Sequence, residues 1–194
     1  MNKLLPTNHH EDKTLLGFWM FIMTDIIIFS SLFATYAVLR NNTAGGPSGA
    51  DIFNLPFVLT ETIILLISSL TSGLMLLSAR NGNRTMAIAW LLVTILLGAS
   101  FLALEIYEFN LLINEGHSWT ASGFLSSYFT LVGTHGAHIA TGLIWATLLF
   151  IMLAKKGLDS FSLRRITLFS YFWHFLDIVW IFIFTIVYLL GVSK

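Results

Sequence analysis

The sequence predicts an all-α integral membrane bundle of five transmembrane helices, and three observations predict it. The chain is apolar: 56% of its 194 residues are hydrophobic, 14% are aromatic, only 10% are charged, and the mean hydropathy is +0.81. A soluble domain is about a quarter charged and keeps roughly a third of its unfolded surface in water after folding. Five apolar runs are each long enough to cross a bilayer core of about 30 Å, which takes roughly 20 residues. The basic residues are also sorted along the chain rather than scattered. Ten basic and ten acidic side chains cancel to a net charge of zero. That excludes a nucleic-acid binder with a basic face and a disordered, charge-rich chain. The absence of Cys excludes disulfides, thiolate metal sites and thiol nucleophiles.

Residues 1–14 are polar and carry His9, His10, Glu11 and Asp12, which predicts a loose cytoplasmic tail. The apolar run that follows is too long for a signal-peptide core, so it is expected to remain as an anchor. The rest, 15–194, reads as a single transmembrane domain with spans at about 15–39, 56–79, 86–113, 124–154 and 166–190. These long, continuously apolar runs lack the period of two of a β-barrel. The Gly-rich stretch 43–51 between spans one and two is a turn-forming loop. No 20–50-residue repeat is present. Trp90 and Trp119 fall where interfacial aromatic belts lie, whereas Trp173 and Trp180 sit deeper, as packing residues.

Loop charges orient the bundle. With five alternating helices, Lys3, Lys13, Arg80, Arg84, Lys155, Lys156, Arg164 and Arg165 share one face, and only Arg40 and Lys194 lie on the other. The N-terminus is therefore expected in the cytoplasm and the C-terminus in the periplasm. Lys155, Lys156, Arg164 and Arg165 are also candidates for anionic lipid head groups, although the orientation signal alone explains them.

Half of the acids lie inside the spans: Asp25, Glu61, Glu105, Glu108 and Asp177. A charge at mid-membrane costs roughly 2.5–3.5 kcal/mol on insertion scales. Such groups must face other helices, pair, or carry a proton. Helical spacing sets out the faces: Glu61, Leu65, Ser68 and Ser72 on span two; Thr94, Gly98, Phe101, Glu105 and Glu108 on span three; Thr167, Tyr171, His174 and Asp177 on span five. His135 and His138 share a face of span four, where Gly133/Ala137 and Gly136/Ala140 are small-xxx-small pairs that let backbones approach. These stripes are expected to meet inside the bundle. Di-iron bundles use Glu-x-x-His within a helix, and the pairs here are Glu–Glu, His–His and His–Asp. No metal is expected, and a hydrogen-bonded network is favoured; spacing alone leaves haem ligation by His135, His138 or His174 open. Asp25 lies about ten residues into span one, roughly 15 Å deep at 1.5 Å per residue, with no same-helix His partner. It reads either as a proton-handling group or as an acid hydrogen-bonded to a neighbouring helix.

Gly-Thr-His-Gly-Ala-His at 133–138, Phe-Trp-His-Phe-Leu-Asp-Ile-Val-Trp at 172–180 and Glu-Ile-Tyr-Glu at 105–108 resemble the motifs of subunit III of the haem–copper respiratory oxidases, in the family's order on three consecutive spans. The likeness covers nearly the whole chain. Five spans rather than seven, together with the segment 43–59, look more like the bacterial bo-type ubiquinol oxidases than the mitochondrial cytochrome c oxidases. The resemblance implies an accessory subunit with no catalytic centre. It would pack directly on subunit I, which holds the haems and copper, in a complex with subunit II and a small subunit IV. It would carry bound phospholipid and support assembly and proton uptake in the bacterial inner membrane, with ubiquinol handled by partner subunits. It further implies that Asp25, where the family usually has the longer Glu, is the proton-linked or lipid-cleft acid, and that Glu61, Glu105, Glu108, His135, His138, His174 and Asp177 belong to an internal polar network. Two rival readings stand beside it. One is a membrane metalloenzyme using the Glu and His pairs. The other is a small proton-coupled transporter using Asp25 and Glu61, although such folds are usually built from repeats.

Overall fold

The computed structural model describes residues 9–192, with side chains from Lys13 onward; Lys3 and Lys194 lie outside the described residues. The elements are α1 (His9–Leu39), a short α2 (Gly49–Ile52), α3 (Leu55–Arg80), α4 (Arg84–Asn114), α5 (Gly123–Lys156) and α6 (Ser160–Ile183), followed by a π-helical turn (Phe184–Leu189) and a last helical turn (Leu190–Val192). Five helices are long and apolar enough to cross a membrane: α1 from Lys13, α3, α4, α5, and α6 with its extension to Val192. The loose tail is corrected in part, because His9–Thr14 already belongs to α1. Residues 1–8 lie outside the described residues.

Local chemistry sets the helix starts. Asn54 caps α3 by accepting from the Phe57 amide, and Pro56 in the first turn needs no donor there. Asn83 caps α4 and Ser122 caps α5, each accepting an amide at 3.1 Å. Asp159 caps α6, accepting the Ser162 amide at 2.7 Å while the Ser162 hydroxyl returns to the Asp159 amide at 2.8 Å, a reciprocal box. The Ser162 hydroxyl also donates to the Asp159 carboxylate, and that bond, with the one from the Ser162 amide, holds the exposed carboxyl below its usual value. Asn81-Gly82-Asn83 turns the chain between α3 and α4, with Gly82 at φ +74°, a conformation open to glycine.

The two ends of the bundle can be told apart from contacts across the chain. At one end the Arg84 guanidinium, from the start of α4, donates to the carbonyls of Leu153 and Ala154 at 3.0 and 2.7 Å, closing the C-terminus of α5. At the other, the Phe124 amide donates to the Asn42 carbonyl at 3.0 Å, and the Tyr36 hydroxyl reaches the Val187 carbonyl at 3.4 Å. Arg80, Arg84, Lys155, Lys156, Arg164 and Arg165 thus belong to the first end, and Arg40 belongs to the second.

Helix α3 is the polar hub. Its Thr71 hydroxyl meets that of Thr94 at 2.8 Å on α4. Its Ser68 and Thr62 hydroxyls accept the indole N–H groups of Trp173 and Trp180 from α6, both at 3.0 Å. In lipid, where tails are as apolar as leucine, such bonds and close backbones hold helices together at roughly 0.6–2 kcal/mol apiece. Trp173 is fully buried in a slot made by two glycines. A Cβ at Gly98 of α4 would lie 2.8 Å from its ring, and one at Gly142 of α5 would lie 2.9 Å away. Helix α1 is different in kind. One stripe, Phe18, Ile22, Asp25, Phe29 and Tyr36, faces the bundle, while Leu16, Met20, Met23, Ile27 and Val38 are exposed. The stripe packs chiefly against α5.

The expected faces of spans two and three are the buried ones: Glu61, Leu65, Ser68 and Ser72, and Thr94, Gly98, Phe101, Glu105 and Glu108. The span-five face is corrected, since Tyr171 is exposed and the buried face of α6 runs through Phe169, Trp173, Leu176 and Trp180. So is one small-residue pair: Ala137 is exposed, and the close approaches on α5 fall at Gly136 and Gly142. Trp173 and Trp180 are packing residues, as expected, and Trp119 is exposed.

Candidate functional site

The polar residues singled out in the spans gather in three places. The first is a pair between α1 and α5. Asp25 Oδ1 lies 3.6 Å from His138 Nε2, with the Asp25 carboxyl buried and the imidazole about one-fifth exposed. His138 Nδ1 is 2.7 Å from the Thr134 carbonyl, which only accepts, so Nδ1 carries a hydrogen and Nε2 faces the acid. A single proton between Asp25 and Nε2 then decides whether the pair is neutral or ionic. Sequence spacing missed this partner because it lies on another helix. An apolar groove of about 590 Å³ runs beside the pair, lined by Ile26, Phe29 and Phe33 of α1 and Phe175, Ile178 and Phe182 of α6.

The second place is the interface of α3 and α6, where His174 Nδ1 shares a hydrogen bond with Ser69 Oγ at 2.7 Å and lies 3.8 Å from Asp177 Oδ2. His174 is partly exposed there and Asp177 is buried.

The third lies in the bundle near the α2 end. Glu61 from α3 and Glu105 and Glu108 from α4 are buried within electrostatic range of one another. Tyr188 donates its hydroxyl hydrogen to Glu108 Oε2 at 2.9 Å, and the Tyr128 hydroxyl lies 3.0 Å from that of Tyr188. Because Tyr188 has one hydrogen and gives it to Glu108, Tyr128 donates to Tyr188. All four carboxyl oxygens of Glu61 and Glu105 are buried with no hydrogen-bond partner among the described residues. Gly136 makes room for one of these acids: a Cβ there would meet Glu105 Oε1 at 2.7 Å. The π-helical turn brings both Val187 and Tyr188 to full burial, so it aims the phenol inward. Such turns are rare and favour functional positions.

His135 joins none of these. It is fully buried, stacked on Trp180 with ring centroids 5.2 Å apart and edge-on to Phe101 at 5.9 Å. Neither of its nitrogens has a hydrogen-bond partner among the described residues. Direct bonds therefore do not link the seven expected network residues into one net. Tyr128, Tyr188 and Ser69 were missed from sequence; the two phenols were findable, because a tyrosine deep in a span needs a partner for its hydroxyl. The four basic candidates lie at the Arg84 end. Lys155 and Lys156 are exposed at the end of α5, and the Arg165 guanidinium lies 4.2 Å from the Phe161 ring centroid. No group of three or more His, Asp or Glu side chains that could hold a metal ion occurs among the described residues.

The fold and these sites define a class: a multi-pass helical membrane protein whose acids serve the bundle interior. The family model for cytochrome c oxidase subunit III matches residues 7–192. The cytochrome bo(3) ubiquinol oxidase subunit 3 of Pseudomonas aeruginosa is 57% identical over 95% of this chain and 90% of its own length. The cytochrome c oxidase subunit 3 of Bacillus sp. PS3 is 48% identical over 91% of this chain and 85% of its own. The quinol oxidase subunit 3 of Bacillus subtilis is 45% identical over 92% and 88%. The chain therefore belongs to the cytochrome c oxidase subunit III family. Members of this family are parts of multi-subunit haem–copper oxidases, and relatives of this kind with five apolar helices make the chain a multi-pass bacterial membrane protein of the respiratory chain. The metalloenzyme and transporter readings gain no support from these matches.

Proposed function

We propose that the chain is the accessory, non-redox subunit III of a proton-pumping ubiquinol oxidase in the bacterial inner membrane. The observation that carries the quinol assignment is the 57% identity, over 95% of the chain, to a subunit named for a ubiquinol oxidase. In this reading the chain packs directly on the haem- and copper-bearing subunit I, in a complex with subunit II and a small subunit IV, and supports assembly and proton uptake. It performs no chemistry alone. The N-terminal end and the loops bearing Arg80, Arg84, Lys155, Lys156, Arg164 and Arg165 face the cytoplasm, and the C-terminus faces the periplasm. The position of those six bases at one end of the bundle supports that direction.

Asp25 is the proton-linked or lipid-cleft acid of this reading. Its approach to His138 supports the first role, and the apolar groove beside it supports a bound acyl chain. Lys155, Lys156, Arg164 and Arg165 would take the phosphate of an anionic lipid. Glu61, Glu105, Glu108, His135, His138, His174 and Asp177 are its internal polar groups.

Gentle detergent extraction with optical spectroscopy tests the assignment. The chain is expected to co-purify with a larger haem-bearing polypeptide that oxidises ubiquinol. Recovery as a lone active protein, or stoichiometric metal in the isolated chain, would overturn it. Within the complex, Asp25→Asn is expected to leave assembly intact and to slow proton uptake or shorten active life during turnover. Loss of assembly would make Asp25 structural.

A further inference from the structure

The Glu61–Glu105–Glu108 group is built as more than a packing defect. A buried polar oxygen without a partner forfeits the hydrogen bonds it makes to water when unfolded, and here four such oxygens stand together in one place. Native interiors satisfy such groups with internal water where the site is polar and roomy enough. A cavity of about 480 Å³ reaches from the loop end of the bundle to Glu108, the one of the three acids that lines it, with Asp51 and Glu115 among its other lining groups and Tyr107 and Leu111 along its wall. Glu61 and Glu105 do not line it and lie within electrostatic range of Glu108. Glu108 lies six residues from the end of α4, or ~9 Å along the axis at 1.5 Å per residue. At the cavity, the Ser48 hydroxyl and amide donate to Asp51 at 2.7 and 2.9 Å, which holds that carboxyl below its usual value and keeps a negative charge there.

The groups facing the three acids are the phenols: Tyr128 from α5 and Tyr188 from the π-helical turn. This pair is reversible. With Glu108 ionised, Tyr128 donates to Tyr188 and Tyr188 to Glu108. With Glu108 protonated, the carboxyl can donate to Tyr188 and both hydroxyls turn over. The carboxyl gains or loses one proton, and no other covalent bond changes.

We propose that Glu61, Glu105 and Glu108 form a hydrated proton-holding site that exchanges protons through the cavity over Glu108, at the end of the bundle opposite the basic loops. The site is separate from the Asp25–His138 pair. It goes beyond the accessory role proposed above, because it gives this chain a second proton site with its own opening.

The test is infrared spectroscopy of the whole oxidase transferred from H2O to D2O, following the carboxylic-acid C=O stretch. A band removed by Glu105→Gln or Glu108→Gln is expected to shift within minutes. Leu111→Trp, which narrows the cavity from a partly lipid-facing position and leaves the acids untouched, is expected to slow that shift at least tenfold. This variant keeps the test decisive if a glutamine substitution prevents assembly. Absence of a protonated-carboxyl band, exchange as slow as that of buried amides, or a rate unchanged by Leu111→Trp would each overturn the proposal. A band that responds to Na⁺ at fixed pH would overturn it in favour of a cation site. Co-purification of the oxidase is scored separately, so failure here leaves the subunit assignment standing.

Discussion

Asp25 and the Glu61–Glu105–Glu108 group are acids buried in the same bundle, yet they are accommodated in opposite ways. Asp25 sits on a helix attached along one stripe, and a partly exposed imidazole from α5 comes within 3.6 Å of it. The three glutamates sit between the most intimately packed helices, α3 and α4, with no base acting on them among the described residues and two phenols for company. The difference teaches that burial depth does not decide how a carboxyl is stabilised. What decides it is whether the facing helix can present a base. At the edge of the bundle α5 offers His138, whereas facing the glutamates it offers Gly136, which leaves space instead of charge.

The largest expected effect comes from filling that space. Gly136→Val would put carbon 2.7 Å from Glu105 Oε1 and is expected to cost about 1–3 kcal/mol or more, as overpacking does. Thermal unfolding and yield of the intact oxidase measure it. Tyr188→Phe removes the donor to Glu108 and the acceptor for Tyr128, and is expected to cost about 1–3 kcal/mol through the groups left unpaired. Asp25→Asn keeps the volume and leaves the imidazole its Thr134 bond, and the 3.6 Å polar contact it alters is longer than a hydrogen bond, so about 1 kcal/mol or less is expected. The contrast breaks if Asp25→Asn destabilises as much as Gly136→Val. The smallest effect lies outside the membrane. Because its native hydrogen bonds hold the Asp159 carboxyl below its ordinary value of 3.8, that cap is fully stabilising above 3.8 and is lost as pH falls through the lower, folded value. Amide hydrogen exchange in the first turn of α6 should rise in that acid range for the wild type and stay flat for Asp159→Asn.

Much of this was legible in the sequence. The five helices follow from run length, and the faces of α3 and α4 follow from spacing, because a helix fixes which residues share a side. Pairing between helices was not legible. Whether Asp25 meets His138 or a hydroxyl depends on the rotation and sliding of one helix against another, set by the packing of residues such as Phe29 beside both histidines. The span-five face was misplaced because Trp173 and Trp180 rotate α6 so that the indoles, and not the Tyr171 side, enter the interior. The π-helical turn leaves no mark in the sequence, and without it Tyr188 could not be assigned to Glu108. The family motifs are legible without register, because each is a run of neighbouring residues on one helix.

The slot that holds Trp173 carries a consequence for biogenesis. Its walls come from Gly98 and Gly142 and its hydrogen-bond acceptor from Ser68, so three helices build a receptacle for a residue on α6, which follows them in the chain. The first four spans contact one another directly, but the slot between them stays unfilled until α6 arrives. Insertion of α6 is therefore the step that fills the interior of the other helices with an indole and gives the Ser68 hydroxyl its donor.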